Sequence, residues 1–341
     1  EYVETFGSSG DESNFRFCDK ANKLLMLRND MTAPIARLAA TRLQEGEKIK
    51  RLCYLANLYR YEEFQAGRQC EFEQAGVELL GASVPAADAE IIVLAAEAMK
   101  AAGLENFAIS IGHVGFVNGL AREAGFQEAE LQELKAHLRN HDAVAIYEMA
   151  SKMQGSKAEL QKLFGDFIFL QGKLDILDRV AKIISDEEAL AALEDLRKIY
   201  QLLESYGASQ YIRFDLGLYR SFNYYTGMLF EIYLPEMGYP VAGGGRYDKM
   251  MESFGMDCPA TGFALGVDRL MLALTRRGEA PVRNWDALVA FAEGKLKEAI
   301  IKASKLRAEG KSVKLCTEAL SLEEAAKECK ALCCTSLVYI A

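Results

Sequence analysis

Gln74 and Glu78 stand out as two polar side chains within the segment Glu71–Gly81. On a strand, residues of one parity share a face. Glu73, Ala75, Val77 and Leu79 then form one face, apolar after its first member, and Phe72, Gln74, Gly76 and Glu78 form the other. The second face suits a pocket floor on which Gln74 and Glu78 bind a small polar ligand while Gly76 leaves it room. It also suits a solvent-facing strand surface, and alternation alone leans slightly that way. Arg60 and Glu62 close the preceding strand, and Arg68 lies in the loop between. An arginine at a strand end can take a phosphate or carboxylate bidentately, which lysine cannot reproduce. Taken alone, these arginines fit an ordinary surface better.

Three further clusters carry chemistry-bearing side chains. Arg220–Gly227 contains adjacent tyrosines. On a strand Tyr224 and Tyr225 would face opposite ways, one packed in the core and one offering its hydroxyl to a pocket. Gly243–Asp248 begins with three glycines, which permit close backbone approach to a ligand or a neighbouring strand. Its spacing is neither GxGxxG nor a Walker loop, so no dinucleotide or P-loop site is read there. Thr261–Leu270 runs from a strand or turn into a helix whose N-terminal amides and Arg269 would suit an anion. The three histidines do not converge. His113 precedes an apolar helix and reads as structural, and His137 with His141, one helical turn apart, read as solvated surface rather than a metal site. Eight cysteines are scattered with no CxxC pair, so zinc spacings are absent and free thiols are expected. No metal and no cofactor is expected.

These residues need elements to position them. Lys23–Arg28 reads as a short strand and Thr32–Arg42 as a helix with Pro34 in its first turn. Cys53–Tyr61 and Glu71–Leu80 read as paired strands joined by a polar loop. Asp88–Ala102 places Ile91, Ala95, Ala98 and Ala102 on one helical face, and Phe107, Ile109 and Ile111 alternate as a strand. From Gln127 to about Gly207 the chain reads as helical, with capping-box spacing at Ser156/Glu159 and Ser185/Glu188. Strands return at Tyr211–Asp215 and Tyr224–Leu234, followed by a glycine-rich turn at Ala242–Gly245 and a helix from about Gly262 to Thr275. Beyond Pro281, Ala287–Ala341 has a strand–helix–strand–helix–strand rhythm.

The chain of 341 residues has length for about two domains and an ordinary globular mixture, 50% hydrophobic and 26% charged. With 49 acidic against 40 basic residues, a net charge of −9, it makes a poor non-specific nucleic-acid binder. No apolar run approaches the roughly 18–20 residues of a membrane span. The first twenty residues are polar and carry no secretory signal. The expectation is a soluble cytoplasmic protein whose chain starts inside its first domain.

The order and joint content of the clusters resemble the core of class II histidyl-tRNA synthetases. Leu27–Thr32 looks like that family's amino-acid-binding element, and Tyr59–Glu62 with Gly67-Arg68 and Glu71–Gln74 like class II motif 2. Arg220–Gly227 and Gly244–Asp248 resemble the two histidine-specific motifs, and Gly262–Leu270 resembles motif 3. Three features depart from a working synthetase. Cys70 stands where those enzymes carry a second motif 2 arginine, which removes charge-assisted bonds to a polyphosphate. The C-terminal segment holds nine basic against seven acidic side chains, too balanced for an evident tRNA-binding surface. Ile111–Phe116 and Leu24–Arg37 are similar instead to the paralogous family of ATP phosphoribosyltransferase regulatory subunits.

That resemblance implies an α+β fold, a class II synthetase-like antiparallel sheet flanked by helices. It implies a core over 1–275 with a helical insertion at about 115–205, and a small α/β C-terminal domain over 283–341. It implies a non-catalytic subunit of histidine biosynthesis, required by a short-form catalytic ATP phosphoribosyltransferase both for activity and for feedback inhibition by histidine. A homodimer or higher oligomer is implied as well, and tRNA as a partner is not. The implied histidine pocket is Asp30, Thr32, Gln74, Glu78, Arg220, Tyr225 and Tyr247, with Arg220 toward the carboxylate. Arg60, Glu62 and Arg269 match a vestigial nucleotide site. A divergent histidyl-tRNA synthetase and a stand-alone histidine-binding sensor are the alternatives.

Overall fold

Apolar alternation and helical spacing give thirteen strands and eleven α-helices among the described residues of the computed structural model. It describes residues 14–43, 45–61, 69–153, 158–220, 224–279 and 284–341. The chain divides into two compact units, Glu1–Gly278 and Glu279–Ala341.

The large unit is organised by an eight-stranded sheet of order β3-β4-β10-β9-β8-β5-β7-β6. Its strands are β3 (Lys50–Tyr59), β4 (Glu71–Leu80), β5 (Ala108–His113), β6 (Gln171–Gly172), β7 (Ile212–Asp215), β8 (Met228–Tyr233), β9 (Ala242–Arg246) and β10 (Ala260–Gly266). All neighbours pair antiparallel except β5 with β7. A separate hairpin joins β1 (Arg16–Cys18) to β2 (Leu24–Met26), its turn held by Asp19, whose Oδ1 accepts the N–H groups of Ala21 and Lys23 at 2.8 Å each. Helix α1 covers Thr32–Arg42, as its spacing predicts.

One face of the sheet is the core. Helix α2 (Pro85–Ala101) opens on a proline, which supplies a fixed φ where no intrahelical donor is needed, and buries Ile91, Ile92, Ala95 and Met99. Between β5 and β7 the chain inserts α3 (Val114–Glu123), α4 (Glu128–Arg139), α5 (Ala143–Ser151), α6 (Ala158–Gly165), α7 (Asp175–Ala181) and α8 (Glu187–Ser205). Phe116, Phe164, Phe167, Phe214 and Phe230 are fully buried and join helices and sheet in one apolar cluster. Fully burying one such ring contributes on the order of 1.5–3 kcal/mol.

Five local readings are corrected. Ala242–Gly245 is not a turn but most of β9, a strand at the centre of the sheet. The helix expected from Gly262 begins only at Val267, because Ala260–Gly266 pairs with both β4 and β9 as β10; the helix, α9, covers Val267–Arg277. The strand expected from Tyr224 starts at Met228. Ser185 does not cap α8; Asp186 does, its Oδ1 accepting the Ala189 N–H at 3.0 Å, while Ser185 bonds Glu123 and Glu188 pairs with Arg122. The region Gln127–Gly207 is also interrupted by β6, which pairs with β7. Ser156 lies outside the described residues.

The small unit is a three-stranded parallel sheet of order β12-β11-β13, with β11 (Ala287–Phe291) buried throughout between β12 (Val313–Leu315) and β13 (Leu337–Ile340). The connections are helices α10 (Leu296–Ala308) and α11 (Leu322–Ala331), which gives the expected strand–helix rhythm. Helix α11 starts with a capping box between Ser321 and Glu324. It ends in a left-handed Cys333, φ 52°, with the Cys334 N–H bonded to the Cys329 carbonyl at 2.9 Å, a Schellman closure.

Candidate ligand-binding site

The sheet face away from the insertion carries a cavity of about 320 Å³, at the low end of the roughly 300–1,000 Å³ of small-molecule sites. Asp30, Thr32, Gln74, Glu78, Arg220, Tyr225 and Tyr247, drawn from distant parts of the sequence, all line it. Arg60 and Arg269 line it too, so no wall separates the expected nucleotide arginines from the expected amino-acid pocket. Glu62, Gly67 and Arg68 lie outside the described residues.

The acidic end is assembled around the start of α1. Asp30 Oδ1 accepts the Thr32 N–H at 2.6 Å, satisfying one of the donors a helix leaves open, and Oδ2 accepts the Tyr224 hydroxyl at 3.0 Å. So fixed, Thr32 donates its hydroxyl to Glu78 Oε1 at 2.9 Å, and Tyr247 donates to Oε2. Glu78 is 2% exposed. Burial pushes its carboxyl up to about 8; the charge of Asp30 adds to this, and the Tyr247 and Thr32 hydroxyls work against it. The Tyr247 phenol is raised well above its ordinary value, first by burial and then by Glu78.

Alternation placed Gln74 and Glu78 on one face, and both face the cavity, while Ala75, Val77 and Leu79 pack with the core. The room at Gly76 serves a different purpose from the one expected. A Cβ there would collide with the ring of Tyr54, from the paired position on β3, whose hydroxyl donates to Gln74 Oε1 at 2.9 Å. Gly76 therefore admits a ring that orients Gln74.

The basic end rests on β9. A Cβ at Gly243 would collide with Arg220 Nη1, and one at Gly245 would lie 3.1 Å from the Tyr225 ring. The glycine strand thus lets a guanidinium and a phenol lie on bare backbone. Arg220 Nη1 pairs with Glu231 Oε1 at 3.2 Å. Burial opposes its charge, and Tyr225 and Glu231 more than restore it, leaving the guanidinium above its ordinary pKa. Tyr224 and Tyr225 do not divide between core and pocket: they sit before β8, with ring centroids 4.7 Å apart, and both line the cavity. Arg60 Nε donates to the Asn29 carbonyl at 2.9 Å with its guanidinium over Phe72, and Arg269 Nη1 donates to the Pro240 carbonyl at 2.6 Å beside Tyr239. Cys70 is half-buried and is not a lining residue.

Arg246, within the same motif as Tyr247, turns the other way, into a buried pair with Asp88 of α2 at 3.0 Å. His113 caps α3, its Nδ1 accepting the Gly115 N–H at 3.0 Å, and burial pushes it down to about 4, so the ring is neutral. His137 lies near Glu133 and Asp142, and among the described residues no group of three His, Cys, Asp or Glu is placed to hold a metal ion. No helix among them is long and apolar enough to cross a membrane. Sequence reasoning missed Tyr54, Tyr224 and Glu231. The tyrosine doublet signalled Tyr224, but Tyr54 and Glu231 differ in no local way from strand-surface residues.

An antiparallel sheet with this cavity on one face defines a class II synthetase-like protein, and the sequence model of the histidyl-tRNA synthetase family matches residues 1–270. The solved histidyl-tRNA synthetase of Nostoc, only 20% identical, shares the fold with a TM-score of 0.78 over 97% of this chain and 80% of that one. A relative from Acetivibrio thermocellus, an ATP phosphoribosyltransferase regulatory subunit, is 40% identical over 320 residues, covering 92% of this chain and 76% of the relative. A solved structure from Bacillus halodurans, described as an ATP phosphoribosyltransferase regulatory subunit/histidyl-tRNA synthetase, is 34% identical. Its TM-score is 0.84, with coverage of 100% of this chain and 87% of that one. The chain belongs to the ATP phosphoribosyltransferase regulatory subunit family, within the histidyl-tRNA synthetase-like proteins.

Proposed function

We propose that this chain is a non-catalytic subunit of histidine biosynthesis, needed by a short-form catalytic ATP phosphoribosyltransferase and acting as its histidine sensor. The observation that carries the reading is the polarity of the cavity. Asp30 and Glu78 line it with lone pairs to spare, Glu78 over Gly262 of β10, while Arg220 lies over Gly243 of the neighbouring β9 and Gln74 lies on the floor. A zwitterion with a second basic group fits that order: ammonium and imidazole toward the carboxylates, carboxylate toward the guanidinium. Histidine bound to one state of a complex better than to the other shifts the population toward the inhibited form. The subunit acts in the cytoplasm as a dimer or larger assembly.

A divergent synthetase is the second reading, favoured by the three arginines at the cavity, Arg60, Arg220 and Arg269. One pair of assays separates the two. Mixed with a short-form catalytic subunit, the purified chain should switch on phosphoribosyl transfer to ATP, and histidine should switch it off. Alone, it should give no histidine-dependent ATP–pyrophosphate exchange. Exchange at ordinary synthetase rates, or a catalytic subunit indifferent to the chain, would sink the regulatory reading.

A further inference from the structure

Glu231 and Tyr233 follow Leu229 at period two on β8 and share its face. Neither of the two lines the cavity, yet both bear on Arg220. The Tyr233 hydroxyl donates to Glu231 Oε2 at 2.5 Å, and Glu231 Oε1 holds Arg220 Nη1 at 3.2 Å. A carboxylate facing an arginine commonly takes it as a fork, with two parallel bonds. Here Tyr233 occupies one oxygen, so the grip falls on a single nitrogen. The Phe230 carbonyl accepts from that same Nη1 at 3.4 Å. The neighbouring carboxyl of Asp215 is turned to the Gly217 N–H at 3.1 Å and to Gln171 at 3.0 Å, and does not compete. Among the described residues, Arg220 Nε and Nη2 make no hydrogen bond. Those two nitrogens form the edge that matches a carboxylate bidentately.

We propose that Glu231, held by Tyr233, is a positioning residue that presents the Nε–Nη2 edge of Arg220 to the carboxylate of an amino-acid ligand. Through that edge it sets a preference for a free α-carboxylate over its amide. The proposal rests on reading the cavity as a histidine site.

The test is calorimetric titration of the full purified chain with histidine and with histidinamide, which keeps the ammonium and imidazole and loses only the anion. The unaltered chain should prefer histidine at least tenfold. Tyr233→Phe frees Oε2, lets Glu231 fork onto Arg220 and draws the guanidinium from the ligand. Histidine affinity should fall about tenfold while histidinamide affinity stays within twofold. Glu231→Ala should collapse the ratio likewise, and if it fails to fold, Tyr233→Phe decides alone. A purely structural role would weaken both ligands equally or neither. An unchanged ratio in Tyr233→Phe, with histidine bound by the unaltered chain, overturns the positioning role and leaves the histidine reading intact. No histidine binding by the unaltered chain overturns both.

Discussion

Around the start of α1 Asp30, Thr32, Glu78, Tyr224 and Tyr247 hold one another, the acidic end of the cavity, whereas over β9, the basic end, Arg220 lies on bare backbone under a single carboxylate. The two ends answer the same problem, keeping charge in a poorly solvated place. At the acidic end burial lifts Glu78 to about 8 against the pull of its two hydroxyl donors, so that the buried carboxyl can carry a proton. An arginine has no neutral form to fall back on, so the basic end must supply a counter-ion and space. On the proposed reading, binding and stability are therefore entangled at the acidic end and more nearly separable at the basic one.

The largest expected effect breaks the basic end without touching the acidic one. In Gly243→Ala a methyl takes the place of Arg220 Nη1, and β9, hydrogen-bonded on both sides, cannot step back. Arg220 must leave. Loss of a charge-assisted pair corresponds to roughly 1.5–3 kcal/mol, so histidine affinity should fall by about a hundredfold at the upper limit, beside an overpacking cost of about 1–3 kcal/mol in stability. Titration calorimetry with a melting curve measures both. Affinity within threefold of the unaltered chain would mean that Arg220 is not the anchor.

A smaller effect sharpens the comparison. Glu78→Ala would strip the acceptor from Thr32 and Tyr247 together, lowering stability along with binding, so it cannot isolate the ligand contact. Tyr225→Phe deletes one hydroxyl whose neighbours are Tyr224 and Arg220. In the assembled complex it should raise the inhibitory histidine concentration about tenfold, with uninhibited activity and melting temperature nearly unchanged. Unchanged inhibition with assembly intact would place the histidine effect elsewhere.

What could be read from the sequence was local in origin. Period two along β4 separated Gln74 and Glu78 from Val77 and Leu79, the helix Thr32–Arg42 was legible from spacing, and so was the small unit's alternation. What could not be read depended on residues far away in the chain. Three consecutive glycines look like a turn until Arg220 and Tyr225 are laid against them, because only those neighbours explain a strand without side chains. Gly76 likewise needs Tyr54, and Arg220 needs Glu231. Family resemblance supplied the pocket residues that local pattern left open, and it missed the groups that hold them.

The smallest expected effect tests whether the acidic end behaves as a protonated carboxyl. In the unfolded chain Glu78 titrates near its ordinary 4.5, and in the folded protein near 8. Between those values the unfolded chain has released a proton that the folded one keeps, so stability falls as pH rises and levels off above about 8. Asp215, raised to about 6 by burial, acts in the same direction but is spent by about pH 6. His113 opposes them: lowered from 6.5 to about 4, it makes stability rise with pH across that interval and fades out over about one pH unit above it. From about pH 7 to 8, Glu78 dominates the three. Denaturant unfolding across that window should show stability declining by up to roughly 1 kcal/mol per pH unit. Glu78→Gln should flatten the slope, since the amide keeps an oxygen for Thr32 and turns its N–H toward the Tyr247 oxygen. Gly243→Ala should leave the slope in place while abolishing tight binding. A slope that survives in Glu78→Gln would assign the titration to another group and remove the proton from the acidic end.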